Sequence, residues 1–358
     1  MMKTNKTLLI MAGGTGGHVF PGLAVADKLK SEGWSVSWLG TKDRMEAQLV
    51  PEHGYEIDFI DIAGVRGNGV KRLLMAPIQI IKSIVQARRV LKKRQVKLVL
   101  GMGGFASGPG GIAAWMMGIP VVLHEQNAAA GLTNRILSRF SKKVLMGFAG
   151  AFKGNKAILV GNPVRQALID LPEKKISTAD KPLNVLVIGG SLGAKVLNEC
   201  LPEAFSRFTD GQLKIRHQSG KGHDVGLIKT YQDLNLKVDV QAFVTNMDEA
   251  YAWADLIICR AGALTVAEVA VAGLPAIFVP LPHAVDDHQT KNAQDLLNKK
   301  AAVIIPQNEL NADKVSDYLQ TFSQNREMLS KMSENSKRTA IIDATERVAS
   351  VCNQLLIK

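Results

Sequence analysis

Short apolar runs, each followed by a glycine-rich or polar turn and then by a helical pattern, recur along the chain. The first run, Thr7–Ala12, leads through Gly13-Gly-Thr-Gly-Gly-His18 into a helical pattern over residues 19–30. Residues 184–188 lead in the same way through Gly189-Gly-Ser-Leu-Gly193 into a second helical pattern. Short runs that are apolar throughout are typical of strands buried on both faces of a parallel sheet. The pattern therefore predicts an α/β fold with two Rossmann-like parallel-sheet halves.

Length and turn signals predict two domains. With 358 residues, the chain exceeds what one hydrophobic core ordinarily holds. We expect an N-terminal domain over residues 1–161 and a C-terminal domain over residues 165–341, because Gly161-Asn-Pro-Val-Arg165 breaks the pattern between them. The last helical pattern, residues 343–358, is expected to pack back on the N-terminal domain. Two such halves imply a cleft between them.

Positive charge is concentrated in one segment. The formal net charge is +12, and between Ile62 and His124 there are ten Lys and Arg residues but no Asp or Glu. A localised basic patch indicates an anionic partner, either nucleic acid or a membrane surface. Nucleic acid is disfavoured, because no recognised nucleic-acid-binding motif is present and only 5% of the residues are aromatic.

A helical pattern over residues 74–94 places apolar side chains beside this positive charge. One interpretation is a solvated basic helix face that packs on its own domain. The other is a surface that rests on an anionic bilayer, where each nearby Lys or Arg contributes about 1 kcal/mol. The residues predicted to face the membrane are Lys71, Arg72, Leu74, Met75, Ile78, Lys82, Arg88 and Arg89.

Composition argues against three other features. Residues 98–123 carry no charge, but their seven glycines and two prolines disfavour a membrane-spanning helix. No signal peptide is predicted, because glycines interrupt the first apolar run. Cys200, Cys259 and Cys352 are scattered without metal-ligand spacing, which fits a reduced cytoplasm and predicts no metal site.

The most informative stretch runs from Arg260 to Asn292. A helical pattern over Ala263–Ala272 follows a strand-like run, so its first N–H groups, near Ala263 and Leu264, suit a phosphate. Thr265 adds a hydroxyl, and a carboxylate at Glu268 is placed to accept hydrogen bonds from a ribose. The stretch predicts a nucleotide-sugar site, with sugar hydroxyls near His288 and Gln289. The alternative is a βαβ unit whose Gly and Glu residues only shape turns.

Polar positions also follow predicted strands in the N-terminal half. The turn over residues 13–18 lacks the GxGxxG spacing, and no acidic residue follows at a second strand end, which disfavours a NAD-dependent dehydrogenase. His124-Glu125-Gln126-Asn127 follows a predicted strand over residues 120–123, where α/β sheets place ligand contacts. Alternatively, these four side chains only satisfy the local backbone.

Several motifs together resemble one family over nearly the whole chain. They are GGTGGHVFPGLAVA, GMGGFASGPGG, VVLHEQN, GNPVR, GGSLGA, HQSGKG, AYAWADLIICRAGALTVAE and DATERVA. In order and content they resemble the MurG family of peptidoglycan N-acetylglucosaminyltransferases. The resemblance implies the GT-B fold, in which two Rossmann-like domains face each other across a cleft.

The same resemblance implies the reaction. It is the inverting transfer of GlcNAc from UDP-GlcNAc to the C4 hydroxyl of MurNAc in undecaprenyl-pyrophosphoryl-MurNAc-pentapeptide. The product is the lipid-linked disaccharide precursor of peptidoglycan, and neither a cofactor nor a metal ion is implied. The expected location is the cytoplasmic face of the bacterial plasma (inner) membrane, as a peripheral protein. Cell-wall and division machinery are implied as partners.

The resemblance also implies which residues bind UDP-GlcNAc. They are Thr15, Gly16, Gly17, Asn127, Arg165, Ser191, Val244, Ala263, Leu264, Thr265, Val266, Ala267, Glu268 and Gln289. Uracil is expected at the backbone near Val244, ribose at Glu268, and phosphate near Ser191 and the helix start. GlcNAc hydroxyls are expected at Asn127 and Gln289. The loop PHAVDDHQTKN is one residue longer than the family's usual form, and the family's paired glutamines stand here as His288-Gln289.

An inverting displacement needs a base to take the acceptor proton and a way to stabilise the departing UDP. We expect His18 to be the base, because its usual pKa lies near neutrality. Glu125 is a second catalytic candidate and His124 a further rival. The runner-up function is a UDP-GlcNAc epimerase on the same fold, which would keep Glu268 and the phosphate helix but has no use for the apolar and basic surface.

Overall fold

The computed structural model describes residues 6–62, 69–190, 193–282 and 287–356, and of residues 69–75 it describes the backbone alone. The chain divides into two compact units. Unit 1 comprises Met1–Arg165 and Ile341–Lys358, and unit 2 comprises Gln166–Ala340.

Unit 1 is built on a parallel sheet. Its described strands are β1 (Thr7–Ala12), β2 (Ser35–Gly40), β3 (Glu56–Phe59), β4 (Leu98–Gly103), β5 (Val121–Glu125), β6 (Lys143–Met146) and β7 (Ala157–Leu159). Their spatial order is β3-β2-β1-β4-β5-β6-β7. The winding reverses between β1 and β4, and ligands of such sheets bind beyond the carboxyl ends of the strands at this switch point.

Helices cover both faces of this sheet. They are α1 (Gly16–Ser31), α2 (Glu46–Glu52), α3 (Gly69–Lys93), α4 (Ser107–Met116), α5 (Leu132–Leu137) and α14 (Ala344–Leu356). Successive residues of a strand point to opposite faces. Leu8 and Ile10 accordingly share one buried cluster with Val348 of α14, whereas Leu9 and Met11 share another with residues of α3 and α4.

The last described helix, α14, packs against α1 of unit 1. The indole nitrogen of Trp34 donates to Oδ1 of Asn353 over 3.0 Å, and the amide of Asn353 donates to Glu32 over 2.6 Å. Val348 and Cys352 are fully buried in the unit 1 core. This helix therefore supplies apolar side chains to a core whose other members lie more than 180 residues earlier in the chain.

Unit 2 repeats the arrangement. Its strands are β8 (Leu183–Ile188), β9 (Leu213–Gln218), β10 (Asp239–Gln241), β11 (Leu256–Cys259), β12 (Ala276–Phe278) and β13 (Ala302–Ile304), in the parallel order β10-β9-β8-β11-β12-β13. Its helices are α6 (Gln166–Ile169), α7 (Lys195–Phe205), α8 (Asp224–Asp233), α9 (Met247–Trp253), α10 (Ala263–Ala272), α11 (His288–Asn298), α12 (Ala312–Gln324) and α13 (Arg326–Thr339). Here the switch point lies between β8 and β11.

The prediction of two Rossmann-like parallel sheets is confirmed. The bounds predicted for β1 and α10 match, whereas strand β3 was not predicted. The stretch PHAVDDHQTKN, predicted as a loop, is helical from His288 onward, where α11 begins. Its N-cap is Asp287, whose carboxylate accepts a hydrogen bond from the Thr290 hydroxyl over 2.8 Å and does not cap a backbone N–H of the helix. Among the described helices, none combines the length and apolar character needed to cross a bilayer.

Candidate active site

The turn after β1 lies at the switch point of the unit 1 sheet and opens helix α1. Thr15 is the N-cap in an extended conformation, and Gly16 and Gly17 form the first turn. The first N–H groups of a helix have no intrahelical acceptor, so this end carries partial positive charge. Thr15 is exposed, and Gly16 and Gly17 are partly exposed. The structure therefore leaves these three predicted site residues accessible to an anionic ligand.

His18 lies in the first turn of α1, with its ring against the turn that follows β4. Its Nδ1 lies 3.0 Å from the carbonyl oxygen of Gly13. Because a carbonyl oxygen only accepts, Nδ1 carries the proton in this bond and Nε2 keeps a lone pair. A Cβ added at Gly103 would lie 2.8 Å from the imidazole, so the absence of a side chain there makes room for the ring.

The surroundings of His18 favour the neutral imidazole. Burial lowers its pKa, while the hydrogen bond to Gly13 and the negative charges of Glu125 and Glu46 act in the opposite direction. The residue as a whole is nevertheless partly exposed. A neutral, accessible imidazole with a free lone pair has the properties that a general base requires.

The carboxylate of Glu125 organises the turn that follows β5. Its Oε1 accepts from the backbone and side-chain nitrogens of Asn127, at 3.1 and 3.2 Å. Its Oε2 accepts from the amide of Gly131 at 3.1 Å and from the side chain of Asn134 at 2.9 Å. Glu125 is buried, and these four donors hold both of its oxygens. The geometry therefore favours a positioning role for Glu125 and holds Asn127 in a fixed orientation.

His124 is fully buried, and its Nε2 lies 2.9 Å from the carbonyl oxygen of Gly161. Burial lowers its pKa to about 4. A histidine with no exposed surface is a poor candidate for removing a proton from a substrate hydroxyl. Of the three rivals for the base, the geometry favours His18.

Glu46 of α2 contacts the turn that follows β1. Glu46, for which no role was predicted, is buried and accepts hydrogen bonds from the amide of Gly14 at 2.8 Å and from the hydroxyl of Thr41 at 2.8 Å. A glutamate early in a helical pattern carries no signal that it will contact a turn 32 residues away.

Arg165 places its guanidinium 5.3 Å from the ring centroid of Phe20, a cation–π arrangement that leaves Arg165 partly exposed.

In unit 2, a cavity of about 730 Å³ lies beyond the carboxyl ends of β8 and β11. Gly193 has a φ of +75°, and a Cβ there would collide with the carbonyl of Ser219, so the turn requires glycine. The open start of α10 lies at the same cavity. The residues that line this cavity include Gly190, Gly193, Arg260, Gly262, Thr265, Gln289 and Gln307.

Helix α10 carries the predicted phosphate and ribose contacts. Gly262 is its N-cap, Ala263 and Val266 are buried, and Leu264, Thr265 and Ala267 are partly exposed. Glu268 is only 5% exposed and accepts a hydrogen bond of 3.2 Å from the hydroxyl of Tyr251. The helix thus places an N-terminus at the cavity and a buried carboxylate on one element.

The remaining predicted residues of unit 2 fall in three places. Gln289 lines the 730 Å³ cavity with Thr265, and its Oε1 accepts from the amide of Leu281 over 2.9 Å. Val244 lines a different cavity of about 180 Å³, beside Asp239. Ser191 lies outside the described residues.

Arg260 and Gln307 line the larger cavity although no role was predicted for either. The guanidinium of Arg260 donates to the carbonyl of Val279 at 3.0 Å and to Oε1 of Gln307 at 2.7 Å. Arg260 is the first residue of the stretch Arg260–Asn292, which predicted a nucleotide-sugar site, so its place in the sequence indicated a role there. Gln307 lies 47 residues further on and offered none. Within the described ranges, no group of three or more His, Cys, Asp or Glu side chains is placed to hold a metal ion.

Helix α3 carries the predicted membrane-facing residues of unit 1. An exposed row, here called the α3 stripe, runs along it and consists of Ile78, Ile81, Val85, Arg88 and Arg89. Ile78 is 61% and Ile81 is 62% exposed, which is unusual for isoleucine. The opposite side of the helix is buried against α4 through Ala87 and Leu91. The side chains of Lys71, Arg72, Leu74 and Met75 lie outside the described residues.

Acidic side chains from outside the basic segment lie beside it in space. Lys82 lies 3.2 Å from the carboxylate of Asp61, and Arg94 pairs with Asp58 and Glu56 of β3. These acids precede the segment in sequence, but β3 and the loop after it bring them to α3. Part of the positive charge is therefore neutralised locally, whereas Arg88 and Arg89 are exposed at the surface.

Comparison with known proteins identifies the family. The model described as the glycosyltransferase family 28 N-terminal domain matches residues 8–146, and the one described as the glycosyltransferase family 28 C-terminal domain matches residues 184–348. A relative from Psychromonas ingrahamii is 73% identical over 99% of this chain and 100% of its own length. Its name is UDP-N-acetylglucosamine--N-acetylmuramyl-(pentapeptide) pyrophosphoryl-undecaprenol N-acetylglucosamine transferase.

Solved structures agree with this assignment. The crystal structure of Acinetobacter baumannii MurG is 42% identical, with a TM-score of 0.82 over 98% of this chain and 99% of that chain. A UDP-GlcNAc 2-epimerase from Neisseria meningitidis has a TM-score of 0.68 over 98% of this chain and 100% of that chain, but at 13% identity this likeness shows the fold alone. The chain therefore belongs to glycosyltransferase family 28 and, within it, to the MurG family.

Proposed function

We propose that this chain transfers GlcNAc from UDP-GlcNAc to the C4 hydroxyl of MurNAc in undecaprenyl-pyrophosphoryl-MurNAc-pentapeptide, with inversion at the anomeric carbon. The observation that carries the proposal is helix α10 of unit 2. Its open N-terminus and Thr265 line a cavity large enough for a nucleotide sugar, and Glu268 lies buried further along the same helix. The name of the 73% identical relative supports both substrates.

Unit 2 is the donor-binding unit in this proposal. The diphosphate of UDP-GlcNAc accepts hydrogen bonds from the first amides of α10 and from the glycine-rich turn after β8. Glu268 accepts from the ribose hydroxyls, and Gln289 contacts a sugar hydroxyl. Arg260, at the same cavity, adds a positive charge that favours a diphosphate. Ser191 and Val244 stay predictions for phosphate and uracil.

Unit 1 supplies the base. Nε2 of His18 takes the proton of the C4 hydroxyl as that oxygen forms a bond to the anomeric carbon. The bond between the anomeric carbon and the UDP oxygen breaks at the same time, and UDP leaves with the electron pair. The partial positive charge at the start of α10 stabilises the developing negative charge on UDP.

The α3 stripe is proposed to rest on an anionic membrane. An acceptor carried on undecaprenol is embedded in a bilayer, so an enzyme that uses it must work at the bilayer surface. Isoleucines near one end of the stripe and arginines near the other match an apolar interior beneath anionic headgroups. Trp115 of α4 is 50% exposed, and its ring centroid lies 4.6 Å from that of the tilted Phe140 ring. It adds an aromatic anchor on a helix that packs against α3.

The proposed location is the cytoplasmic face of the bacterial inner membrane, because nucleotide sugars are made in the cytoplasm. Association there is peripheral and rests on the surface just described. Partners in the cell-wall and division machinery stay a prediction from the family resemblance.

Turnover with radiolabelled UDP-GlcNAc, with and without a polyprenyl-linked muramyl acceptor, tests the proposal. We expect label in the lipid fraction, and UDP release, only when the acceptor is present. An epimerase would instead convert the label to a second UDP-sugar without any acceptor. That result would overturn the transferase proposal.

A further inference from the structure

One peptide bond in unit 1 joins a buried carboxylate to the proposed base. The N–H of Gly14 donates to Oε2 of Glu46 over 2.8 Å. The carbonyl of the same peptide unit, that of Gly13, accepts from Nδ1 of His18 over 3.0 Å. Both polar ends of the Gly13–Gly14 peptide are therefore engaged, one by a negative charge and the other by the imidazole.

The position of Glu46 is closely constrained. Its Oε1 accepts from the amide of Thr41 at 3.1 Å and from the hydroxyl of Thr41 at 2.8 Å, which leaves Oε2 directed at Gly14. The side chain is 2% exposed. A Cβ at Gly13 would collide with this carboxyl group, and one at Gly40 would lie 2.7 Å from its Cγ. Two glycines thus make the space through which Glu46 reaches the turn.

A carboxylate that accepts from a peptide N–H increases the negative charge on the carbonyl oxygen of the same peptide, because hydrogen bonds in a chain polarise one another. The carbonyl then holds the Nδ1 proton of His18 more strongly. Metal-ligating histidines show the same principle, where an acceptor on the second ring nitrogen fixes the tautomer and raises the basicity of the first.

We infer that Glu46 is a positioning residue for the transfer reaction, acting on His18 through the Gly13–Gly14 peptide to fix the tautomer with Nε2 free and to strengthen it as a base. The inference rests on the proposed role of His18. Glu46 does not touch the substrate in this scheme. Its effect is electrostatic and orientational, and it is passed on by a single backbone unit.

Within the described part of the chain, three charged or titratable groups face His18 from the elements around it. They are Glu46 from α2, Glu125 from the end of β5 and His124 from β5. Substituting Glu46 leaves the other two in place. A change that follows the substitution is therefore attributable to Glu46.

The test compares Glu46→Gln with Glu52→Gln, an exposed glutamate of the same helix, using the full-length protein. For Glu46→Gln we expect kcat to fall roughly tenfold, a fraction of what a general base supplies. Loss of the negative charge lowers the pKa of His18, so the acid-side midpoint of the kcat/KM profile should move to lower pH. KM for UDP-GlcNAc and all parameters of Glu52→Gln should stay unchanged.

The possible outcomes separate this inference from the proposed function. If His18→Ala keeps full turnover, His18 is not the base and both ideas fail. If His18→Ala is inactive but Glu46→Gln keeps the wild-type kcat and the wild-type midpoint of the pH profile, only the positioning role of Glu46 is wrong.

A measurement on the unsubstituted protein keeps the inference testable even if Glu46→Gln does not fold. In ¹⁵N spectra of the histidine rings, His18 should be the Nδ1–H tautomer at neutral pH, and the Gly14 amide shift should follow the titration of His18. An Nε2–H tautomer, or a Gly14 amide shift that does not change as His18 titrates, would overturn the inference about Glu46.

Discussion

The hydroxyl of Tyr251, on α9, donates a hydrogen bond of 3.2 Å to Oε2 of Glu268, on α10, and both side chains are buried in unit 2. Burying a carboxylate is unfavourable unless hydrogen bonds replace the lost water. The tyrosine supplies one such bond and so helps to orient the acid that is proposed to bind ribose.

Glu268→Gln should weaken the binding of UDP-GlcNAc about 10- to 100-fold, because a hydrogen bond to a charged acceptor contributes about 1.5–3 kcal/mol. Isothermal calorimetry measures the change directly. Glu327→Gln is the matched control, since Glu327 is an exposed glutamate of the same unit. Equal affinity in wild-type and Glu268→Gln proteins would contradict the assignment of the ribose site.

Tyr251→Phe should weaken UDP-GlcNAc binding by a smaller factor, about 3- to 10-fold, because it removes one neutral donor from the carboxylate and leaves its charge in place. The variant should also discriminate less between UDP-GlcNAc and its 2′-deoxyribose analogue. Tyr318→Phe, at a partly buried tyrosine of the same unit, controls for a general effect of losing a hydroxyl. An unchanged preference for the ribose form would show that Tyr251 has no part in holding Glu268.

His18→Ala should lower kcat by about 10²- to 10⁴-fold while leaving KM for UDP-GlcNAc near its wild-type value. In the wild-type enzyme, kcat/KM should fall as the pH decreases through the pKa of His18 and the base becomes protonated. Because burial lowers this pKa, the midpoint of the fall should lie below the usual 6.5. His53→Ala, at an exposed histidine of the same unit, should leave the profile unchanged.

Arg88→Glu combined with Arg89→Glu should reduce binding to vesicles that contain anionic lipid about 10-fold or more. The estimate follows from about 1 kcal/mol for each cation lost near the surface, with repulsion added by the new acids. Reversal of Lys229 and Lys237, which are exposed in unit 2, provides a control of equal charge change. Vesicle co-sedimentation at low and high salt measures the effect, and unaltered UDP-GlcNAc affinity shows that the fold is intact.

The elements with strong local signals could be predicted from the sequence. Strand β1 is apolar from Leu8 to Ala12 and fully buried, and α10 ends where Gly273 adopts a φ of +64°, the left-handed conformation that glycine favours after a helix. The glycine-rich turns after β1 and β8 could be recognised from their composition and from their place after buried strands. These features depend on residues that are close together in the chain.

Contacts between distant segments could not be predicted in the same way. Glu46 reaches Gly14 only because β1 and β2 are neighbours in the sheet, which places the start of α2 under the first turn. The acids that neutralise Lys82 and Arg94 act because of how β3 and α3 pack, which a count of charges within one segment misses. Four donors turn Glu125 inward, although its position at the carboxyl end of β5 suggested a residue that faces a ligand.

The docking of α14 onto unit 1 has a consequence for synthesis on the ribosome. Unit 2 is one continuous segment, so all of it has been translated before α14 emerges. Unit 1 is translated first but completed last, because Val348 and Cys352 fill its core only after the whole of unit 2 has been made. A nascent chain that stalls before residue 344 therefore exposes the apolar surface of α1 that α14 would cover. A chaperone or a protease would bind the chain at this surface.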